Sequence, residues 1–411
     1  MTTELRVPRE ADLDAFLGVL GTAFGGALQV PEEREKWRAL AETDRFLAAW
    51  DEDEIVGTAG AFTFRLTVPG GTSVPAAGVT MVSVLPTHRR RGILRSMMRR
   101  QLDDVRAWGE PLAVLTASEP EIYGRFGYGV ATGQLTARID TSKVRLALPA
   151  GTDDLRVRLV DAYDGGVRER CEALYAERVP LRPGMLARRP GWERVAVHDP
   201  EQLRAGASPM QCVLVERDGD LRGYARYAVR AEWDAAGPKG EVLLRNMEAL
   251  EPAALGALMR YLFDIDLTTW LTIGNRPVDD AWLHMVSDVR RCEIGHRDSL
   301  HLRLVDVGAA LEARTYAAPV DVVFDVADDF CPWNEGRWRL TGDTKGAACT
   351  RTDDAPDLAL SVRELGAAYL GGVTLGALAG AGRVREVRRG ALAEASLAFR
   401  GDVAPWLPHG F

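Results

Sequence analysis

The stretch Met81 to Leu102 constrains this chain more than any other, because it reads as a strand, a basic turn and a helix in that order. Met81-Val82-Ser83-Val84 is followed by Pro86-Thr87-His88-Arg89-Arg90-Arg91-Gly92. Beyond it Leu94, Met97, Met98, Leu102 and Val105 recur at helical spacing, with Arg95, Arg99, Arg100, Asp103 and Asp104 on the other face. A helix therefore starts near Gly92. Its first backbone N–H groups lack intrahelical partners and sit at the positive end of the helix dipole, and Gly92 has no Cβ to hold a phosphate away. Arginines 89 to 91 add guanidinium forks that bind phosphate oxygens in pairs, so the turn suits a pyrophosphate. From composition alone, a solvated basic turn is an equal reading.

With 411 residues the chain exceeds one ordinary core of about 100 to 200 residues, and three segments can be traced. A charged fraction of 27% and a hydrophobic fraction of 46% are those of an ordinary soluble protein, and a net charge of −8 argues against coating nucleic acid. The opening Met-Thr-Thr-Glu-Leu-Arg lacks the apolar run of a secretory signal. Cys171, Cys212, Cys292, Cys331 and Cys349 form no C-x-x-C and are odd in number, which points to a reducing cytoplasm. The histidines show no metal spacing, so no metal is expected. Leu365 to Gly382 carries no charge, yet its repeated glycines make it too short and weakly hydrophobic to span a bilayer about 30 Å thick. Closely packed core helices are the expectation there, with no membrane partner.

Read in order, residues 1–150 form a mixed α/β domain. Leu5 to Val7 is a short strand, and Glu10 to Phe24 a helix with Leu13, Phe16, Leu17, Leu20 and Phe24 on one face. Phe46 to Trp50 and Ile55 to Phe64 form a hairpin around an acidic turn, followed by a further strand ending at Pro69-Gly70-Gly71. The cradle follows, then the strand Leu112 to Leu115 and the glycine-rich run Ser118 to Gly129. A second domain, 151–295, echoes the first: Val213 to Val215, a turn at Asp218-Gly219 and Leu221 to Tyr227 repeat the hairpin. Val242 to Met247 and Ala253 to Phe263 then place Gly256 where the cradle has Gly92. Pro252-Ala253-Ala254-Leu255 replaces the arginines, so this copy reads as a degenerate duplicate. Residues 296–411, from the alternating strand Leu300 to Val307 onward, read as an α+β domain without a cradle.

Strand, basic glycine turn and amphipathic helix together resemble the acetyl-coenzyme A motif of the GNAT superfamily, R/Q-x-x-G-x-G/A, with Arg89, Gly92 and Leu94 in its slots. Leu94 departs from the usual glycine or alanine. Two longer runs, Thr87 to Arg95 and Ser118-Glu119-x-x-Ile122-Tyr123-Gly124-Arg125-Phe126-Gly127-Tyr128-Gly129, are similar to those of the enhanced-intracellular-survival (Eis) type N-acetyltransferases, in which Leu94 is normal. That resemblance implies tandem GNAT-like domains followed by a sterol-carrier-protein-like α+β domain, in a hexamer. It also implies acetyl-coenzyme A as donor, Tyr123 as general acid and the α-carboxylate of Phe411 as general base.

Acyl transfer from a thioester needs a neutral amine, a stabilised oxyanion and a proton for the leaving thiolate. Backbone groups of Val82 and Val84 are candidates for the thioester oxygen, and Arg89, Arg90, Arg91, Gly92, Ile93, Leu94 and Ser118 for the rest of the cofactor. Phe24, Trp37 and Met81 are candidates for the acceptor. Tyr123, Phe126 and Tyr128 read equally as aromatic packing. The acceptor expected is an aminoglycoside-like or polyamine small molecule, although Phe24-Gly25-Gly26 lacks the acidic residue of aminoglycoside-modifying members. Glu32 and Glu33 supply negative charge nearby or simply face solvent. Protein lysine acetylation and a non-enzymatic lipid carrier are the rival readings.

Overall fold

The computed structural model describes residues 3–26 and 30–411; of the opening stretch read above, Met1 and Thr2 lie outside them. The chain divides into two compact units. One comprises residues 1–132, 182–187 and 298–411, and the other residues 133–181 and 188–297.

The first unit opens with β1 (Glu4–Arg6), α1 (Leu13–Ala23), α2 (Pro31–Leu40), β2 (Leu47–Asp51), β3 (Glu54–Thr67), β4 (Ser73–Val84), α3 (Ile93–Ala107), β5 (Leu112–Thr116) and β6 (Gly129–Val130). Strands β1 to β4 are antiparallel neighbours, and β5 joins β4 in parallel. α3 turns Met98, Leu102 and Val105 onto Ala61, Ala77, Val79 and Leu115 of the sheet. Burying each large side chain stabilises by about 1.5–3 kcal/mol. α1 buries Phe16, Leu17 and Leu20, and Phe16 stacks on Phe46 at the start of the hairpin with centroids 5.3 Å apart. The hairpin matches its sequence pattern, but β3 continues unbroken to Thr67, so no separate strand precedes Gly70-Gly71. Those two glycines, with φ of 95° and 80°, make the left-handed turn into β4.

Two corrections follow from sheet membership. The strand Leu300–Leu304, expected to open the third domain, lies in the first sheet, antiparallel to both β5 and β6. Conversely Gly133–Asp140, expected within 1–150, pairs with Thr268–Arg276 in the second unit's sheet. Alternation shows that a strand has two faces but not which neighbour it takes.

The second unit holds strands Arg156–Val160, Gln211–Arg217, Asp220–Arg230, Gly240–Ala249 and Thr268–Arg276, with the last two parallel, and helices Gly165–Arg178 and Pro252–Phe263. The repeated hairpin and helix are present. Gly256 is misplaced, however: it lies inside the helix, whose N-cap is Glu251, so it has no counterpart role to Gly92. A Cβ on Gly256 would fall 2.7 Å from Pro149 and 2.8 Å from Thr152, and the Glu251 carboxylate pairs with Arg217 at 2.8 Å. Protein atoms therefore crowd Gly256, and an acidic residue in an ion pair stands at the N-cap where the first domain has Gly92.

The rest of the first unit is a five-stranded sheet in the order Ala347–Arg351, Gly336–Gly342, Val320–Ala327, Leu358–Ser361, Val384–Glu386, packed with helices. The glycine-rich stretch forms two short helices, Val362–Ala368 and Leu375–Gly380, and no described helix is long and apolar enough to cross a membrane.

Candidate active site

Gly92 caps α3 with φ of 84°, in the left-handed region, and no side chain caps that helix end. A Cβ there would meet nothing within 4 Å, so the helix start at Gly92 is uncrowded, and its first-turn N–H groups lack intrahelical partners. Arg89, Arg90, Arg91 and Gly92 are all exposed, and Arg90 also takes positive φ, at 63°. The turn is braced from behind: Arg91 donates to Thr87 O at 3.0 Å, and His88 Nε2 lies 3.0 Å from Asp51. Ile93 buries its side chain and offers only its backbone, while Leu94 packs half-buried against the core. This end of the helix is therefore an unfilled, positively charged nest that fits a pyrophosphate.

Strands β4 and β5 pair from Ala76–Leu112 to Gly78–Val114, and beyond Gly78 the described residues of β4 have no strand partner on that side. In the same place β4 bulges. The β3–β4 register slips between Thr58 and Gly60, and Met81 adopts φ of 52° while remaining 8% exposed. A methionine at positive φ is strained and needs support. Thr58 supplies it, its hydroxyl donating to Met81 O at 2.7 Å and lying 2.6 Å from the Ser83 hydroxyl. Val82 packs half-buried against the same core as Leu94 and Tyr123, and Val84 packs against the neighbouring cluster. The strands thus part beyond Gly78, and the edge of β4 from Val79 to Val84 has no strand partner on that side among the described residues.

Ser118 is exposed in the bend that follows β5. Tyr123 lies on the next turn, the 3-10 helix Pro120–Phe126, which Gly127 ends in the left-handed conformation with φ of 84°. Its ring packs on the cluster containing Val79 and Leu115 and meets Tyr128 edge to face at 6.0 Å. Burial, and secondarily the charge of Glu119, pushes the Tyr123 hydroxyl up to about 12. The hydroxyl therefore stays protonated at neutral pH. Relative to a thiol near 8.5, full proton transfer is uphill by about 3.5 pK units, roughly 5 kcal/mol, more than the 2 kcal/mol an unperturbed tyrosine faces.

Phe411 docks into the first sheet. Its ring meets Phe64 of β3 at 5.0 Å, and Phe64, Phe62 and Trp37 continue the aromatic contact at 6.0 and 6.1 Å. Trp37 is thus linked to the end of the chain, while Phe24 stands 47% exposed at the end of α1. The tail is held by the segment 182–187, which pairs with the far end of β3: Gly184 N donates to Thr67 O at 2.8 Å, and Thr67 N to Met185 O at 2.9 Å. Trp406 N then donates to Pro183 O at 2.9 Å, and Arg182 to Ala404 O at 2.6 Å. Glu33 is tied to Lys36 at 2.9 Å, and Glu42, beyond α2, to Thr63 at 2.6 Å, whereas Glu32 and Glu35 on α2 are exposed.

Sequence reasoning missed Thr58, the 182–187 segment and Arg303. Arg303 is an arginine in a strand buried throughout, Leu-His-Leu-Arg-Leu, and that oddity was the available signal. Among the described residues no group of histidine, cysteine, aspartate and glutamate could hold a metal.

A nest at a helix end beside two parting parallel strands defines an N-acetyltransferase of the GNAT superfamily. Family models described as acetyltransferase (GNAT) domains match residues 4–131 and 184–304, and one described as a sterol carrier protein domain matches residues 307–408. Over the full length of both chains the sequence is 66% identical to an uncharacterized N-acetyltransferase of Streptomyces avermitilis. It is 34% identical to N-acetyltransferase Eis of Mycobacterium tuberculosis, with 98% of each chain covered. The crystal structure of Eis1 from Mycobacterium abscessus matches with a TM-score of 0.84 at 36% identity, covering 100% of both chains. The chain belongs to the Eis-type N-acetyltransferases.

Proposed function

We propose that the protein transfers the acetyl group of acetyl-coenzyme A to the amine of a small polyamine or aminoglycoside-like molecule. The observation that carries the donor assignment is the open nest at Gly92, exposed beside Arg89 to Arg91 and continuous with the β4 edge. When bound, the cofactor supplies an activated thioester. The helix-end N–H groups and the arginines hold its pyrophosphate. Backbone N–H groups of Val82 and Val84 face the thioester oxygen, where negative charge develops as the amine adds. Tyr123, kept neutral by burial, donates its hydroxyl proton toward the leaving sulfur. The Phe411 α-carboxylate accepts the amine proton, directly or through water, its ring anchored on Phe64.

On the acceptor side Trp37 and Phe411, the two partly exposed rings, offer stacking surface backed by the buried rings of Phe62 and Phe64, while Glu33 and Glu42 are occupied by their own partners. A lipid-carrier role is disfavoured by the interior of the C-terminal domain: buried Arg314 donates to the carbonyls of Tyr369 and Phe399, with the Tyr316 and Phe399 rings packed around it. Six-copy assembly and a cytoplasmic location belong to the same reading, and light scattering on the purified protein tests the former. The deciding experiment for function is thiol release from acetyl-coenzyme A across a panel of polycationic amines, aromatic monoamines and a lysine peptide. Amine-dependent release supports the reading, release with the lysine peptide alone moves the acceptor to protein, and no release with any amine overturns it.

A further inference from the structure

We propose that Arg303 is a positioning residue for Tyr123, so that the sterol-carrier-type domain acts in acetyl transfer through the turn that carries the acid. The proposal rests on the reading of Tyr123 as proton donor.

Arg303 is fully buried. Its Nη1 donates to Phe126 O at 2.5 Å, and its Nη2 donates to Asp328 Oδ2 at 2.6 Å. Phe126 is the last residue of the turn bearing Tyr123, and Tyr128 N closes that turn by donating to Tyr123 O at 3.3 Å. The guanidinium thus grips the end of the turn, close to the acid. Asp328 is itself fixed from other directions, accepting from Cys331 N at 2.9 Å and from Asn334 Nδ2 at 3.0 Å. Asn334 is anchored in turn to Val305 O at 3.2 Å and Val307 N at 3.1 Å. A chain of directional bonds therefore runs from the C-terminal domain to the Phe126 carbonyl.

The glycines of Gly124 to Gly129, which the acid chemistry leaves unexplained, fall into place. A Cβ on Gly127 would lie 1.6 Å from Arg303 Nη1, and one on Gly129 would lie 2.1 Å from Arg363 O and 2.4 Å from Ala367 N. Gly127 admits the Arg303 guanidinium from the neighbouring strand of the first sheet, and Gly129 admits the backbone of Arg363 and Ala367 from the C-terminal domain, where a side chain would exclude them. The ring of Phe330 adds a further contact, lying 5.0 Å from Phe126, and the Arg99 guanidinium of α3 lies 4.3 Å from the same ring. A buried ion pair is often replaceable by apolar residues without loss of stability, so directional hold on the turn is the more specific use of this one.

The test is the charge-neutral double variant Arg303→Met/Asp328→Asn, which leaves no unpaired buried ion, made in the wild-type and Tyr123→Phe backgrounds. With the acid misplaced by even about 1 Å, kcat should fall by roughly 10- to 100-fold while the dissociation constant for coenzyme A changes less than about twofold. In the Tyr123→Phe background the same pair should lower kcat by less than about threefold, because there is no longer an acid to misplace. An equal fall in both backgrounds, or an unchanged kcat in the wild type, overturns the positioning role and leaves the acid assignment standing. Wild-type turnover by Tyr123→Phe alone overturns the acid assignment, and the positioning role with it. If the double variant does not fold, Arg303→Lys keeps the buried charge and is read the same way: a fall confined to the tyrosine background supports the proposal, and an additive one overturns it.

Discussion

The Phe411 ring meets the Phe64 ring edge to face at 5.0 Å, and both rings crowd Gly78, the last residue of β4 paired to β5. The end of the chain is thereby seated where the two strands part. A Cβ on Gly78 would fall 2.3 Å from Phe64 and 3.3 Å from Phe411. Gly78→Ala should destabilise the protein by about 1–3 kcal/mol through overpacking and displace Phe411. Thermal melting and steady-state rates check this; unchanged kcat with a lowered Tm would show that Phe411 only packs.

Adding a few residues after Phe411 moves the carboxylate and leaves every side chain in place. Turnover should fall about 10²-fold or more with coenzyme A binding intact. An extended protein that acetylates at the normal rate rules out this carboxylate as base.

Arg90→Ala and Arg91→Ala should each weaken acetyl-coenzyme A binding by about 10- to 150-fold, the equivalent of a charge-assisted hydrogen bond of roughly 1.5 to 3 kcal/mol. Calorimetric titration measures it. Wild-type affinity in the double variant would remove the phosphate assignment.

Tyr123→Phe should lower kcat by roughly 10² to 10⁴ with little change in cofactor affinity. Because the hydroxyl is pushed up to about 12, the acid stays protonated through the accessible range. The rate–pH profile should therefore show no alkaline fall up to about pH 10 that the substitution removes.

Stability at high pH follows from the buried tyrosines. Desolvation raises Tyr128, Tyr316 and Tyr369 above the usual value of about 10. The folded state holds these protons longer than the unfolded chain, so the contribution is complete below about pH 10 and is lost as pH rises past it. Tm should stay level to about pH 9.5 and then drop. The Tyr128 hydroxyl is buried without a hydrogen-bond partner among the described residues, so Tyr128→Phe should hold or raise Tm at neutral pH and soften that drop. A large loss at neutral pH would mean that the hydroxyl is satisfied in solution.

The cradle was legible because its signals are local: helical spacing from Leu94, the glycine before it and the arginines before that all fall within one stretch, and α3 begins at Ile93. The hairpin of β2 and β3 was legible for the same reason. Gly256 misled because a sequence echo carries no register; the helix begins a turn earlier, at Pro252. Arg303, Asp328 and the 182–187 segment reach the site from far along the chain, and nothing beside Tyr123 or Phe411 announces them. The environment of Tyr123 was likewise invisible, because the groups that bury its hydroxyl come from other parts of the chain.

The place of Leu300–Leu304 between β5 and β6 also bears on biosynthesis. The run Leu112 to Leu115 is wholly buried in the finished sheet, and its outer edge is covered by residues that emerge from the ribosome nearly two hundred positions later. Until then a nascent chain carries a bare, apolar β5 edge while the whole second unit is synthesised. A product truncated before Leu300 keeps that edge permanently, which makes it a template for aggregation rather than a smaller acetyltransferase.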